Sequence, residues 1–158
     1  MSLATLFSVI ILLVFAGFLA GSESALTSLS RLLIEQVIDA KPKYAKRFSR
    51  FTENPARYLN VLLLVRKSCE LTATVLVAAA FIEITDNKAV ALTQTIVLMV
   101  AISYVIVGVG PRTLGKQNAL SWSKPAIITA DLLSKLLSPL TNLLITVGNA
   151  ITPGKGFK

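Results

Sequence analysis

Histidine is absent from this chain of 158 residues, and cysteine occurs once, at Cys69. Without histidine the commonest general base and the commonest transition-metal ligand are missing. Catalytic triads and zinc sites built on imidazole are excluded with it. A single cysteine permits no intrachain disulfide. The chain has no G-x-x-x-x-G-K-[ST] loop, so nothing in it cradles a nucleoside triphosphate. Charge is scarce as well: 15% of residues are charged, against roughly 25% in a soluble domain.

What is present is apolar. Hydrophobic residues make up 54% of the chain, and the mean hydropathy is +0.71. No charge occurs in residues 1–22 or 89–111, uncharged runs of 22 and 23 residues. A helix needs roughly 20 apolar residues to cross the hydrocarbon core of a bilayer. An ordinary soluble domain, intrinsic disorder and a disulfide scaffold are thereby excluded, and a small polytopic membrane domain is expected. A secretory signal has a basic stretch ahead of a shorter apolar core. Here no Lys or Arg precedes Arg31, so the first run reads as a retained helix with its N-terminus outside.

The net charge of +8 has the same explanation. Lys and Arg collect on the cytoplasmic side of membrane proteins. Residues 31–57 hold seven of them, Arg31, Lys41, Lys43, Lys46, Arg47, Arg50 and Arg57, against Glu35, Asp39 and Glu53. No basic stretch is interleaved with aromatics as single-strand binding requires, so nucleic acid is not an expected partner.

The pattern predicts spans at about residues 3–21, 58–82 and 89–110, the first continuing as a more polar helix through Ser30. Leu32, Leu33, Ile34, Val37 and Ile38 suggest a short amphipathic helix at the membrane surface. Asn54-Pro55 starts the second span. The connections carry seven, one and three basic residues. This puts the first and third in the cytoplasm and the Asp86 turn outside. After a polar stretch from Arg112 to Lys124, Pro125 opens a fourth apolar segment, about 125–151, with Asp131 and Lys135 on one face. Its amphipathic pattern favours a juxtamembrane belt over a crossing. A crossing would carry Lys155 and Lys158 outside.

Three groups of residues could carry chemistry. In the first, Ala16, Ala20, Ser24 and Ser28 form a small-residue stripe beside Gly17-x-x-x-Gly21. Small residues let membrane helices approach closely. Alternatively Ser22, Ser24, Thr27 and Ser28 offer oxygens to a hard cation, with Glu23 compensating its charge. In the second, Arg66, Lys67 and Glu70 lie inside a span with Ser68. Such charges cost at least about 2.5–3.5 kcal/mol each, so they must face protein or water. Arg66 and Glu70 are four apart and can pair, either as a helix lock or as the lining of a polar cavity. In the third, Pro111 follows Gly108 and Gly110 and lacks an N–H, which predicts a helix break. Freed carbonyls there can coordinate a cation or simply end the helix at the interface.

These motifs resemble the transmembrane domain of the CNNM/CorC family. Residues 20–31, AGSESALTSLSR, followed by Asn54-Pro55-Ala56-Arg57-Tyr58-Leu59, are similar to its start, and Pro111-Arg112-Thr113 fits its third-span Pro-Lys-Thr. The resemblance implies an all-α membrane protein. It would be a homodimer in the plasma membrane, with three spans, short cytoplasmic-side helices and a belt helix. It implies Mg2+ as transported ion; the missing nucleotide-binding loop makes the expected movement gradient-driven, and without histidine or a nucleophile–base pair no enzymatic activity and no organic cofactor are expected. The ligands implied are Ser24, with Ser22 and Ser28 beside it, Ser68, and the Gly108 and Gly110 backbone. Glu23 and Glu70 would compensate charge, and Gly17 and Gly21 would set helix spacing. Residues 1–151 would form the membrane domain. Residues 152–158 would lead toward a CBS pair, making the chain either a fragment or a stand-alone version without that regulatory module.

The chain departs from the family pattern at two places. Gly108 stands where the family commonly has Glu, and Arg66 and Lys67 where it usually has Asn. A cation beside a divalent-ion site opposes binding, at about 4 kcal/mol for unit charges 4 Å apart at an effective dielectric of 20. The rival reading is a non-transporting scaffold, with Arg66–Glu70 structural and the basic run on anionic lipid.

Overall fold

The computed structural model describes residues 2–137, together with 139, 140 and 143. All regular structure among them is helical: α1 (Leu3–Thr27), α2 (Arg31–Ala40), α3 (Ala45–Glu53), α4 (Pro55–Ile84), α5 (Lys88–Ile102), α6 (Gly110–Gln117) and α7 (Ala119–Leu136). A 3-10 turn, Pro42–Tyr44, joins α2 to α3, and a π-helical stretch, Ser103–Val109, joins α5 to α6.

The boundaries follow from local chemistry. Ser2 caps α1 through the Thr5 N–H at 3.1 Å. The Asn54 side chain accepts from the Arg57 N–H at 3.2 Å with Pro55 in the first turn, so Asn-Pro does start the long second helix. Asn87 caps α5 in the same way. The first helix ends at Thr27, not at Ser30. Ser30 instead caps α2, its hydroxyl accepting from the Leu33 N–H at 3.3 Å, and α2 is the expected short amphipathic helix, burying Ile34 and Val37.

Two expectations are corrected. Pro111 does not end its helix. Regular bonding gives way to the π stretch, where the Gly110 N–H reaches the Val105 carbonyl five residues back, and the helix runs on from Lys88 to Gln117. The wider π turn removes the clash between a proline ring and the carbonyl four residues earlier. The fourth segment does not begin at Pro125. α7 starts at Ala119 and carries Pro125 inside it. Its N-terminal part brings Trp122 onto Phe18, ring centroids 6.2 Å apart. Most of the expected belt beyond residue 137 and all of residues 152–158 lie outside the described residues.

Among the described residues two helices, Leu3–Thr27 and Lys88–Gln117, are long and apolar enough to cross a membrane. They leave large side chains bare, among them Leu3, Phe7, Val14, Val97, Val100 and Tyr104. A soluble monomer rarely shows so large an apolar face. α4 matches them in length but carries Arg66, Lys67 and Glu70. α1 lies at the centre, against α4, the π stretch, α6 and α7. One apolar core joins Leu19 and Leu26 of α1 to Phe48 and Phe51 of α3, Tyr58 and Leu62 of α4 and Ile127 of α7. A second joins Leu13 and Ala20 to Cys69, Ala73 and Met99.

Candidate functional site: a polar seam around α1

The polar end of α1 is built from residues whose protons are already placed. Ser22 donates to the Phe18 carbonyl at 2.8 Å, Thr27 to Glu23 at 2.9 Å and Ser28 to Ser24 at 2.7 Å. Ser24 alone of these reaches another helix, donating to the Arg112 carbonyl of α6 at 2.9 Å. A hydroxyl that has given its proton keeps two lone pairs, so each of these oxygens can still accept a cation.

Glycines bring the two helices this close. A Cβ on Gly17 would stand 2.7 Å from the Ile106 carbonyl oxygen, and one on Gly21 would stand 2.9 Å from the Pro111 oxygen and the Trp122 ring. Gly115 faces Gly21 backbone to backbone, leaving no space for a side chain. Gly115 was not among the residues singled out in the sequence, because its partner is 94 positions away.

α4 supplies the charges. The Arg66 Nη1 donates to the Glu23 Oε2 at 2.8 Å, and its Nε lies 3.7 Å from the Glu70 Oε1. The Arg66 side chain is 5% exposed, Glu70 14% and Glu23 27%. Lys67, 57% exposed, holds Glu70 at 2.8 Å. The four charges sum to zero, which is how ionised groups persist inside an apolar bundle. Proximity of Arg66 to Glu70 follows from helix spacing; the stronger contact, to Glu23, crosses between helices.

A cavity of about 360 Å³ opens between α4 and the π stretch, lined by Arg66, Lys67, Glu70, Ser103, Gly108 and Arg112 among others. Of the residues expected at an ion site, Glu70 and Gly108 meet here. Ser68 is exposed and donates to the Leu64 carbonyl at 3.0 Å, and neither it nor Ser24 lines the cavity. Gly110 sits at the end of the π stretch, its N–H bonded. Among the described residues no three His, Cys, Asp or Glu side chains cluster as metal ligands. A cation in this cavity would meet one carboxylate, Glu70, and the Ser103 hydroxyl against Arg66, Lys67 and Arg112.

The sequence pattern of the cyclin M transmembrane N-terminal domain matches residues 7–157. The chain belongs to the CNNM transmembrane family. That family of membrane domains is associated with divalent-cation transport. UPF0053 proteins of Mycobacterium bovis and Mycobacterium tuberculosis are each 37% identical over 149 residues, 94% of this chain. The chain spans about a third (34%) of the length of these curated relatives.

A second polar cluster lies apart from the seam, where α3 meets α7. Asp131, its side chain 4% exposed, takes Lys135 at 2.8 Å, Arg47 at 3.3 Å and Arg50 at 3.8 Å. Burial pushes its carboxyl up, but Lys135 and Arg47 outweigh burial and hold the pKa below the usual carboxylate range. The sequence pairs Asp131 with Lys135 by spacing; the two arginines arrive from α3.

Proposed function

We propose that this CNNM domain carries a divalent cation, Mg2+ first among them, across the plasma membrane along an ion gradient. The observation that carries the reading is the Ser24–Arg112 contact beside the Glu23–Arg66 pair. It makes a polar seam through an apolar bundle, at the junction where a π-helical stretch interrupts the third long helix. Stretches of π helix inside α-helices are frequent at functional sites. Ser24, Ser22, Ser28, Ser68 and the Gly108 and Gly110 carbonyls are the proposed oxygen ligands, and Glu23 and Glu70 the compensating charges.

In this reading α1, α4 and the Lys88–Gln117 helix are three spans. The 30 residues of α4 measure about 45 Å, enough to cross at a tilt. The N-terminus lies outside, the basic α2–α3 region lies in the cytoplasm, and α7 begins the belt. The domain works as a homodimer.

A specific observation favours the scaffold reading: Arg66 already occupies the carboxylates, and Ser68 bonds its own helix. Flux separates the two. The protein is reconstituted into liposomes holding a Mg2+ indicator, and a Mg2+ gradient is imposed. Entry above that of empty liposomes supports transport. Traces that superimpose on empty liposomes sink it and leave the scaffold.

A further inference from the structure

We propose that the cavity between α4 and the π stretch holds the phosphate group of an anionic phospholipid, with Arg66, Lys67 and Arg112 as its cationic walls. The proposal rests on the membrane placement given above and is independent of ion transport.

The charge of the lining is the first reason. Arg66, Lys67 and Arg112 stand there against one carboxylate, Glu70. Glu70 bonds Lys67 at 2.8 Å, and Glu23 reaches Arg66 from outside the lining, also at 2.8 Å. These two pairs cancel. Arg112 is left over: its side chain is exposed, and it pairs with no carboxylate among the described residues. One positive charge is therefore unbalanced. A headgroup with one net negative charge answers it, whereas a zwitterionic headgroup brings a cation of its own. The second reason is an unfilled donor. The Arg66 side chain is 5% exposed, and its buried Nε has no hydrogen-bond partner. The Glu70 Oε1 at 3.7 Å is too far to accept from it. A buried charged donor left unbonded is costly, and the planar guanidinium fork matches phosphate oxygens.

Position is the third reason, and it selects a lipid over a soluble anion. Between Lys88 and Gly108 a helix advances about 30 Å, the thickness of the hydrocarbon core. With Lys88 at one face of the bilayer, Gly108 and Arg112 reach the headgroups of the other. The remaining wall of the cavity is apolar, with Val100, Tyr104 and Val107. Val100 is 64% exposed and Tyr104 68%, so an outward apolar strip leads away from the charged end. A phosphate among the cations and an acyl chain along that strip use both halves of the lining. Basic pockets between membrane helices on the cytoplasmic side bind lipid headgroups in this way.

The test uses the whole chain in detergent micelles, with native mass spectrometry reading the lipid retained on it. Dioleoyl phosphatidylglycerol should be retained in preference to dioleoyl phosphatidylcholine. Arg112→Gln should weaken its binding about tenfold, the scale of one hydrogen bond to a charged group. Lys116→Gln removes an equal charge from the same helix outside the cavity and should leave the affinity unchanged. If Arg112→Gln does not fold, Lys67→Gln decides, since Lys67 is 57% exposed and lines the same cavity. Equal retention of the two lipids overturns the proposal. So does an unchanged affinity in the cavity variant, or a loss as large in Lys116→Gln. Displacement of phosphatidylglycerol by excess inorganic phosphate assigns the site to a soluble anion and overturns the lipid. Absence of Mg2+ flux removes the transport reading and leaves this one standing.

Discussion

At the scale of single residues, Arg66 depends on one partner more than on any other. Glu23 takes its direct hydrogen bond at 2.8 Å, and the Glu70 contact is longer at 3.7 Å. Removing one member of a buried pair strands the other. Glu23→Gln should therefore lower stability by about 1–3 kcal/mol, discounted because Glu23 remains partly exposed. Lys67→Gln should cost less than about 1 kcal/mol, since the Lys67 side chain is 57% exposed in its pair with Glu70. Thermal unfolding in detergent reads both, and equal losses would contradict the ordering. Arg66 and Glu70 were legible as a pair because helix spacing alone puts them on one face. Glu23 was visible as a charge at the end of a span, but its pairing was not. Contact between residues 43 positions apart depends on how two helices are rotated, and helix period does not carry that information.

At the scale of elements, α1 and α6 touch along glycine. Gly115→Ala must push the Gly21 backbone away, an overpacking that should cost about 1–3 kcal/mol. It should also weaken the Ser24–Arg112 hydrogen bond on the same pair of helices. Unfolding in detergent again measures the loss, and a neutral Gly115→Ala would mean the helices stand farther apart. The α3–α7 clasp gives a pH prediction. The folded Asp131 carboxyl is held below its unfolded value, which is about 3.9. Its contribution is present in full above that unfolded value and is lost as pH falls through the folded one. Asp131→Asn should flatten this acid limb and lower stability at neutral pH by about 1–3 kcal/mol, kept modest by the exposure of Arg47, Arg50 and Lys135. Equal acid profiles for wild type and variant would contradict it. Helix positions were readable from uncharged runs and from Asn54-Pro55. The continuation past Pro111 was not, because proline predicts a break while the π stretch absorbs it. Nor was the start of α7 at Ala119, where Trp122 packing on Phe18 and Gly21 outweighs the polar look of the segment.

At the scale of the whole molecule, the scarcity of charge proves to be a matter of placement. Sixteen of the 24 charged residues collect in the stretch from Arg31 to Arg57, in the Asp131–Lys135 pair and in the Glu23–Arg66–Glu70–Lys67 cluster, while the outer faces of α1 and α5 stay apolar. A bilayer covers those faces, and the neutral cluster is the polar feature left between the long helices. In the function proposed above this seam is an ion path, and the Ser24 oxygen stands in it. The most direct measurement is the initial rate of Mg2+ entry into indicator-loaded proteoliposomes, compared between the wild type and Ser24→Ala at matched amounts of folded protein. The account predicts wild-type entry well above empty liposomes and a fall of about tenfold in Ser24→Ala, the scale of one lost oxygen contact to a charged partner. Equal rates in the two proteins would contradict it.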